Sequence, residues 1–478
     1  MAKKRSSLLI DLDKKYVWHP FTQMMEWGKG DNLIIEKGEG NYLIDMDGKR
    51  YLDGISSLWV NLHGHRKKEI DNAIKKQIDK ISHSTLLGLG NVPSILLAEK
   101  LVQLVNSKLK TQNSKLLSRV FYSDNGSTAV EIALKMAFQY WQQQAGVRGQ
   151  GSGVRKTKFI AFSGAYHGDT FGSMSVGEID IFVKKYKPLL FPTFKAYYPY
   201  CYRCPVRKTY PECNISCIKK FEDILKNHHK EIAGCIIEPI VQGAAGMIVS
   251  PTGFLKKVRQ LCTRYNILLI ADEVATGFGR TGEFFACEHE DVNPDFLCLA
   301  KGITAGYLPL AATLTIEKVY KAFLGKYKDI KTFFHGHTYT GNQLGCAAAL
   351  ANLKIFEKEK TITRIQSKVK YFTELLEGIK GKNYVGDVRQ KGLMAGIEIV
   401  KDKKIREPFP MEARTGYKIC MRAREYGLII RPIGDTIVLM PPLCIKKTEL
   451  KKMVTIVHDC INPKNKNRMH FLGKEGYG

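Results

Sequence analysis

The sequence predicts an α/β protein, with a large central domain built on a mainly parallel sheet and a smaller α+β domain made from both chain ends. Short apolar runs bounded by turn residues alternate with helical patterns through the middle of the chain. Short alternating segments occupy about the first 70 residues, and alternating strands return after about Lys331. These changes of pattern place the first part of the small domain at 1–75, the large domain at 76–335 and the rest of the small domain at 336–478.

Length and composition are those of a globular protein with a substantial core. The chain has 478 residues, of which 44% are hydrophobic and 25% charged. Its apolar runs are shorter than the roughly 18 to 20 residues that a membrane span needs, and the first residues lack the apolar segment of a secretory signal. Twelve cysteines are too dilute for a disulfide scaffold. We therefore expect a cytoplasmic protein in a reducing compartment.

The charge balance is strongly basic. Lysine and arginine number 74 against 46 aspartate and glutamate, a net charge of +28, which raises the alternative of a nucleic-acid-binding protein. The basic residues are scattered in small clusters, such as Lys67–Lys68 and Lys184–Lys185, without the interleaved aromatic residues of a single-strand-binding groove. This pattern favours a lysine-rich surface, whose field would help to collect an anionic substrate. We expect neither a nucleic acid nor a membrane as a partner.

The central domain contains six predicted strands and one long predicted helix. Apolar residues recur at helical spacing from Ser127 to Gln144 and predict a helix there. The predicted strands are Arg119–Ser123, Lys158–Phe162, Gly234–Ile240, Ile267–Ala271, Asp295–Ala300 and Leu308–Leu314.

The two chain ends predict smaller elements. Turn pairs at Lys37–Gly38 and Asp47–Gly48 separate short alternating segments and indicate a hairpin or meander. Beyond the central domain, the pattern predicts a helix from Gln343, strands in 392–400 and 435–442, and a helix around 413–426.

Ligands of an open α/β sheet bind beyond the carboxyl ends of its strands, so the residues that follow each apolar run are the candidates for function. Asp272 and Lys301 each follow such a run. A salt bridge between them would neutralise both charges without chemistry. Alternatively, Lys301 is a desolvated nucleophile that forms a Schiff base with pyridoxal phosphate, while Asp272 pairs with the protonated pyridine nitrogen of that cofactor.

Two further segments follow strands. The run from Asn125 to Thr128 lies between a strand and a helix, where amides, hydroxyls and the helix dipole favour an anion; plain helix capping explains the same residues. Tyr166 follows the strand ending at Phe162, where an aromatic side chain can stack on a planar ring or simply pack.

Gly277 to Gly282 matches the glycine pattern of dinucleotide-binding loops and follows a strand. However, Asp272 and Glu273 stand at the strand end, where they would repel a pyrophosphate, and Phe284–Phe285 follows instead of a clean helix start. The match therefore does not predict dinucleotide binding.

Four cysteines form a C-x2-C-x8-C-x3-C pattern at Cys201, Cys204, Cys213 and Cys217. Four thiolates at this spacing could hold a structural zinc ion, and the alternative is an insertion whose thiols stay free or pair. We assign no metal site to the chain.

Two segments of the chain resemble a known family. The segments ILLIADEVATGFGRTGEFFACEH and LCLAKGITAGYLPLAATLT resemble the core of the class III pyridoxal-phosphate aminotransferases of fold type I, and the resemblance covers nearly the whole chain. It implies a mostly parallel seven-stranded sheet, pyridoxal 5'-phosphate as the cofactor, and a homodimer with active sites at its interface. The stretches VWHPFTQM, YHGDTFGSMSVG, HGHTYTGNQLGCAAA and IIRPIGDTIVLMPP are similar to the branch that makes 7,8-diaminononanoate from 8-amino-7-oxononanoate in biotin synthesis.

The resemblance also implies residue roles. Lys301 would be the Schiff-base lysine and proton carrier, Asp272 would bind the pyridine nitrogen, and Tyr166 would lie against the ring near the substrate. The phosphate would be bound by Gly126 and Ser127, and by His337 and Thr338 across the dimer interface. The residues implied at the substrate side are Phe21, Leu58, Trp59, Tyr166, Asp169, Arg280, Lys301, Gly336 and Arg431, the last for the substrate carboxylate.

Three positions depart from the branch that takes its amino group from S-adenosylmethionine: Phe21 replaces a tyrosine, Leu58 a tryptophan and His337 a proline. The stretches SSLWVNLHGHRKKE and HSTLLGLGNVP are closer to members that use lysine. S-adenosylmethionine is the expected donor, with lysine as the alternative. Another class III ω-aminotransferase, acting on ornithine, 4-aminobutyrate or a similar amine, is the alternative activity.

Overall fold

A seven-stranded sheet forms the centre of the computed structural model, which describes residues 2–30, 32–110, 116–145 and 156–461. Its strands are β4 (Leu117–Ser123), β5 (Lys158–Phe162), β6 (Phe194–Ala196), β7 (Ile232–Ile237), β10 (Leu268–Asp272), β11 (Phe296–Leu299) and β12 (Ala311–Ile316). Their order across the sheet is β4-β12-β11-β10-β7-β5-β6. Strand β12 is antiparallel to both of its neighbours and the remaining strands are parallel, which confirms the predicted fold class.

The buried strands show why the apolar runs predicted them. Every residue of β7, β10, β11 and β12 is buried, as expected for strands covered on both faces by helices. The predicted end of one strand was wrong, and one strand was missed. Strand β7 ends at Ile237 and leaves Glu238 beyond the sheet, and the three-residue edge strand β6 was not predicted, because so short a strand carries no periodicity.

Helices cover the sheet and connect its strands. The predicted helix after β4 begins at Gly126, one residue before its expected start. Within the described ranges, no helix is both long and apolar enough to cross a membrane. The helices are α1 (Ala2–Tyr16), α2 (Met24–Lys29), α4 (Lys68–Ile78), α5 (Val92–Lys108), α6 (Gly126–Ala145), α7 (Phe171–Val176), α8 (Asp180–Val183), α9 (Lys219–His228), α10 (Phe254–Arg264), α11 (Glu317–Ala322), α12 (Gln343–Lys358), α13 (Thr361–Lys380), α14 (Thr415–Glu425) and α15 (Lys447–Ile461), with α3 (Ser56–Trp59) a single left-handed turn.

The two chain ends combine in smaller sheets, as predicted. The remaining strands are β1 (Ile35–Glu39), β2 (Tyr42–Asp45), β3 (Arg50–Asp53), β8 (Val241–Gln242), β9 (Ile248–Val249), β13 (Val385–Lys391), β14 (Met394–Ile399), β15 (Leu428–Ile429), β16 (Arg431–Ile433) and β17 (Thr436–Leu439). Strand β15 pairs with β3 and so joins the C-terminal part to the N-terminal meander. The predicted turn at Lys37–Gly38 was wrong: Gly38 lies inside β1, and the chain reverses at Gly40, whose φ of +54° is accessible to glycine. The domain limits given above stay a prediction.

Candidate active site

A cavity of about 750 Å³ opens at the carboxyl ends of the parallel strands. Its walls come from the residues that follow β4, β5, β7, β10 and β11, so the topology of the sheet brings together segments far apart in sequence. This volume suits a cofactor together with a small substrate. The predicted site residues that line it are Gly126, Ser127, Tyr166, Asp169, Asp272, Lys301 and Trp59.

Asp272 is the last residue of β10 and is held by two partners. Its Oδ2 lies 2.7 Å from Nδ1 of His167, a ring with no exposed surface, and its Oδ1 accepts the backbone N–H of Val274 at 3.1 Å. Asp272 thus pairs with His167, and the described ion pairs contain none between Asp272 and Lys301. The lysine amine is therefore not held in a salt bridge with this carboxylate. Sequence reasoning missed the role of His167.

Lys301 follows β11 and begins a short 3₁₀ turn with a left-handed φ of +43°. Burial lowers the pKa of its amine, and the nearby carboxylates of Asp272 and Glu238 partly oppose that shift. Its Nζ lies 4.9 Å from the ring centroid of Trp59. A buried amine with a lowered pKa is more often neutral, which is the form that attacks a carbonyl carbon.

The backbone after Lys301 is held from α12. Asn352 is fully buried and donates from Nδ2 to the carbonyl oxygens of Gly302 and Ile303, both at 2.9 Å. The Nε2 atom of His63 lies 2.8 Å from Oδ1 of the same asparagine. Since Asn352 presents an acceptor there, His63 must donate. This chain of contacts fixes the turn that carries the lysine.

The buried His63 predicts a loss of stability in acid. Burial lowers its pKa from 6.5 to about 4, so the unfolded chain takes up this proton more readily than the folded chain. Stability from neutral His63 is fully present above pH 6.5 and is lost as the pH falls toward 4. The loss should reach about 3 kcal/mol in the free energy of unfolding. Urea unfolding of His63→Gln, which keeps a donor, should lack this part of the slope, whereas His229→Gln should keep it; an unchanged slope in His63→Gln would contradict the assignment.

The start of α6 forms the predicted anion end of the cavity. Asn125 caps the helix, because its Oδ1 accepts the backbone N–H of Thr128 at 3.1 Å. The Ser127 hydroxyl lies 2.8 Å from Oγ1 of Thr170 and accepts the Thr170 N–H at 3.0 Å. At Gly126 a Cβ atom would lie 2.5 Å from Val274, which accounts for glycine there. Capping is therefore present, and phosphate binding by Gly126 and Ser127 stays a prediction.

Tyr166 lines the cavity and has an aromatic neighbour. Its hydroxyl donates to Oδ2 of Asp169 at 2.9 Å. Its ring lies 5.8 Å from the ring of Phe182, which in turn lies 5.3 Å from that of Phe21. The predicted substrate residue Phe21 thus approaches the cavity through Phe182, which sequence reasoning missed because it lies on a four-residue helix without a motif.

Glu238 is a second buried carboxyl group in the cavity wall that the sequence reading missed. Its oxygens accept the backbone N–H groups of Tyr166 at 3.2 Å and Gly243 at 2.9 Å. Burial raises the pKa of this carboxyl group to about 7. The available signal was the same as for Asp272: an acidic residue directly after a buried strand.

Seven predicted residues lie outside the cavity lining of the described chain. Arg280 is buried behind the wall, while Leu58 is 51% exposed beside Trp59. The His337 ring contacts Asp124 of the cavity wall, with Nδ1 2.6 Å from Oδ2. The complete set is Phe21, Leu58, Arg280, Gly336, His337, Thr338 and Arg431, the last of them exposed at the start of β16.

The four-cysteine segment lies away from this cavity. Cys201, Cys204, Cys213 and Cys217 line one small enclosed void of about 10 Å³ and are free thiols. Over the described parts of the chain, no three cysteine, histidine or acidic side chains are grouped closely enough to hold a metal ion. Burial raises the pKa of the Cys201 and Cys217 thiols, and the neighbouring cysteines raise it further.

The class-III aminotransferase family model matches residues 25–461, and the chain therefore belongs to the class-III aminotransferases. Adenosylmethionine-8-amino-7-oxononanoate aminotransferase of Geobacter sulfurreducens is 51% identical over 447 residues, covering 93% of this chain and 95% of the relative. The enzyme of that name from Anoxybacillus flavithermus is 52% identical over 455 residues, covering 95% and 96%.

Solved structures agree with the fold. The crystal structure of adenosylmethionine-8-amino-7-oxononanoate aminotransferase from Methanocaldococcus jannaschii has a TM-score of 0.88 and 47% identity, covering 96% of this chain and 99% of that one. A PLP-bound amine transaminase from an uncultivated Pseudomonas species has a TM-score of 0.85 and 36% identity, covering 94% and 98%. The expected fold type I architecture, aminotransferase activity and pyridoxal phosphate cofactor are thereby confirmed.

Proposed function

We propose that this enzyme converts 8-amino-7-oxononanoate to 7,8-diaminononanoate in biotin synthesis, with S-adenosylmethionine as the amino donor. The observation that carries the chemistry is the pair of Lys301 and the His167-bound Asp272 at one cavity. The substrates are supported by relatives that bear this name at about half identity over more than nine tenths of both chains. Structural neighbours described only as amine transaminases are less similar, at 36% identity or lower, which disfavours the alternative of a general ω-aminotransferase.

The cavity fits the cofactor by the chemistry of its lining. A carboxylate for a ring nitrogen, an amine for an aldehyde and a helix start for a phosphate all open into the same volume. When bound there, pyridoxal phosphate supplies an aldehyde that condenses with amines and a ring that accepts electron density. Asp272 would hold the ring nitrogen, the amides and hydroxyl at Gly126 and Ser127 would bind the phosphate, and Tyr166 would cover the ring.

The side chains of the cavity would have separate roles in the reaction. The Lys301 amine, whose pKa burial lowers, would carry a proton from the donor carbon to the cofactor in the first half of the reaction, and from the cofactor to the acceptor carbon in the second. Asp272 lines the cavity and is held in place by His167, whose Nδ1 lies 2.7 Å from its Oδ2. The Trp59 and Tyr166 rings line the cavity and would shield the amine from water. Arg431 would bind the substrate carboxylate, with Asp169, Leu58 and Phe21 lining the entrance.

The donor can be identified by a half-reaction. Purified enzyme is mixed with S-adenosylmethionine or with lysine, and conversion of the bound cofactor from its aldehyde to its amine form is followed by absorbance. We expect conversion with S-adenosylmethionine, and subsequent 8-amino-7-oxononanoate should restore the aldehyde form. Conversion by lysine alone would contradict the proposed donor, and failure of 8-amino-7-oxononanoate to restore the aldehyde would contradict the proposed acceptor.

A homodimer is part of the proposal. The segment around the predicted phosphate residues His337 and Thr338 exposes large apolar side chains, with Phe334 and Tyr339 at 74% and 62% exposure. Large exposed aromatic side chains are common at protein interfaces. We propose that a second copy covers this segment and that His337 and Thr338 serve the partner's cofactor site.

Subunit complementation tests that arrangement. Lys301→Ala and the double variant His337→Ala/Thr338→Ala should each have little activity alone. If the two positions serve opposite subunits, mixing and reassociating the variants creates dimers with one intact site and restores activity. The wild-type enzyme put through the same dissociation is the control. If the variants exchange subunits but activity does not return, His337 and Thr338 do not act in the partner's cofactor site.

The cellular site proposed is the cytoplasm. All twelve cysteines of the chain lie in the described residues and are free thiols, as expected in a reducing compartment.

A further inference from the structure

The short segment from Ser56 to Trp59 has an unusual backbone. Its four residues have φ values of +51°, +47°, +69° and +73°, which places all of them in the left-handed region. That region is unfavourable for residues with a Cβ atom, and four in succession are held only where surrounding contacts impose it. The segment also forms part of the cavity wall, since Trp59 lines it.

The buried Arg280 side chain binds this turn through hydrogen bonds at its first residue and just beyond its last. It is 1% exposed, and its Nη1 donates to the Ser56 hydroxyl at 3.1 Å and to the Pro441 carbonyl oxygen at 2.9 Å. Its Nη2 donates to the carbonyl oxygen of Asn61 at 2.9 Å. The guanidinium thereby ties the beginning of the turn, the residues just after it and the C-terminal segment together.

Asp53 holds the other side of the turn. Its two carboxylate oxygens accept the backbone N–H and the hydroxyl of Ser57, at 2.8 and 2.7 Å. The Ser56 hydroxyl in turn donates to the Met440 carbonyl oxygen at 2.7 Å. Each residue at the start of the turn is therefore fixed by its side chain.

The turn ends at the ring that covers the catalytic lysine. The Trp59 ring lies over Nζ of Lys301, 4.9 Å from ring centroid to nitrogen. The ring also lies near Gly243, where an added Cβ atom would come within 3.1 Å of the indole. The turn fixes the backbone of Trp59, from which the ring extends.

The glycine pattern that resembled a dinucleotide loop explains how Arg280 becomes buried. Phe278, Gly279 and Gly282 have φ values of +58°, +89° and +103° and turn the chain back on itself. A Cβ atom at Gly279 would lie 2.8 Å from Leu443. The glycines thus allow this loop to pack closely against the C-terminal segment. As a result, Arg280 is buried behind the cavity wall.

We propose that Arg280 is a positioning residue of the reaction, which acts by locking the left-handed turn and so holding the Trp59 ring over the Lys301 amine. It differs from the substrate-binding role that the family resemblance implied for Arg280. The proposal rests on the proposed role of Lys301. The ring confines the amine to the cavity, and its cation–π attraction offsets part of the lowering of the Lys301 pKa that burial causes.

The test measures the protonation of Lys301 in a double-mutant cycle. The full chain is depleted of cofactor, and the pH midpoint for modification of Lys301 by an amine-reactive reagent is measured by peptide mass spectrometry. Four groups face this amine: Asp272 and Glu238, which favour its charged form, Arg280, which disfavours it, and the Trp59 ring. The variants are Arg280→Lys, Trp59→Leu and both together. Any direct effect of the charge at position 280 is the same with and without Trp59, so it cancels in the cycle.

We expect Trp59→Leu to lower the midpoint, and the effect of Arg280→Lys to differ between the two backgrounds by about 0.4 pH unit or more. Arg389→Lys, which alters another buried arginine, should be additive with Trp59→Leu. Additive shifts for Arg280→Lys, with or without a lower melting temperature, would overturn the proposal. If Arg280→Lys does not fold, Ser56→Ala replaces it in the same cycle, with the same two outcomes. Failure of wild-type Lys301 to bind the cofactor covalently would instead refute the proposed function.

Discussion

Replacing Lys301 by alanine is expected to lower the rate of amino transfer by about a thousand-fold or more, because one side chain supplies both the nucleophile and the proton carrier. The loss should appear in each half-reaction measured in a single turnover with saturating cofactor. Cofactor binding should weaken less than the rate falls, since the helix start at Gly126 and the Asp272 carboxylate remain.

Two controls separate this effect from a loss of charge or of fold. Lys301→Arg keeps a cation but cannot become neutral at ordinary pH, so it should be as slow as the alanine variant. Lys184→Ala, in a lysine cluster on the surface, should leave the rate unchanged. A Lys301→Ala enzyme that completes turnovers at close to the wild-type rate would contradict the assignment.

Replacing Asp272 by asparagine should have the second-largest effect, a fall of about a hundred-fold or more in the rate of both half-reactions. Asparagine has nearly the same shape and can still accept the Val274 N–H, but it cannot carry the negative charge that keeps a ring nitrogen protonated. It also removes the charged partner of His167. Rates from stopped-flow absorbance, with thermal melting in parallel, would measure the change.

Asp295→Asn provides a matched control in the same sheet. Asp295 precedes β11, where it accepts from Arg259 and from the Leu269 backbone at the far end of the strands. Its replacement should lower the melting temperature while the catalytic rate stays close to wild type. If Asp272→Asn behaved in the same way, losing stability and not rate, Asp272 would be structural.

The sequence was informative wherever a function depends on a strand end. Asp272, Lys301 and Tyr166 were predicted because buried apolar runs precede them, and the sheet brings all three to one cavity. The confirmed parallel sheet follows from the same runs, since strands buried on both faces must be apolar throughout.

Features that depend on contacts between distant segments were not predictable. His167 acquires its role from a partner on another strand, and Asn352 supports the lysine turn from α12, about 50 residues away. Arg280 was assigned to the substrate by resemblance, whereas the structure surrounds it with Ser56, Asn61 and Pro441. No periodicity or motif encodes such contacts, because both partners look ordinary in their own segments.

The most direct measurement of the central claim is reductive labelling. The enzyme is incubated with pyridoxal phosphate, treated with borohydride to make any covalent attachment permanent, digested and mapped by mass spectrometry. We expect the label on Lys301 and its loss in Lys301→Ala. Recovery of the label on a different lysine, with Lys301 unmodified, would contradict the claim.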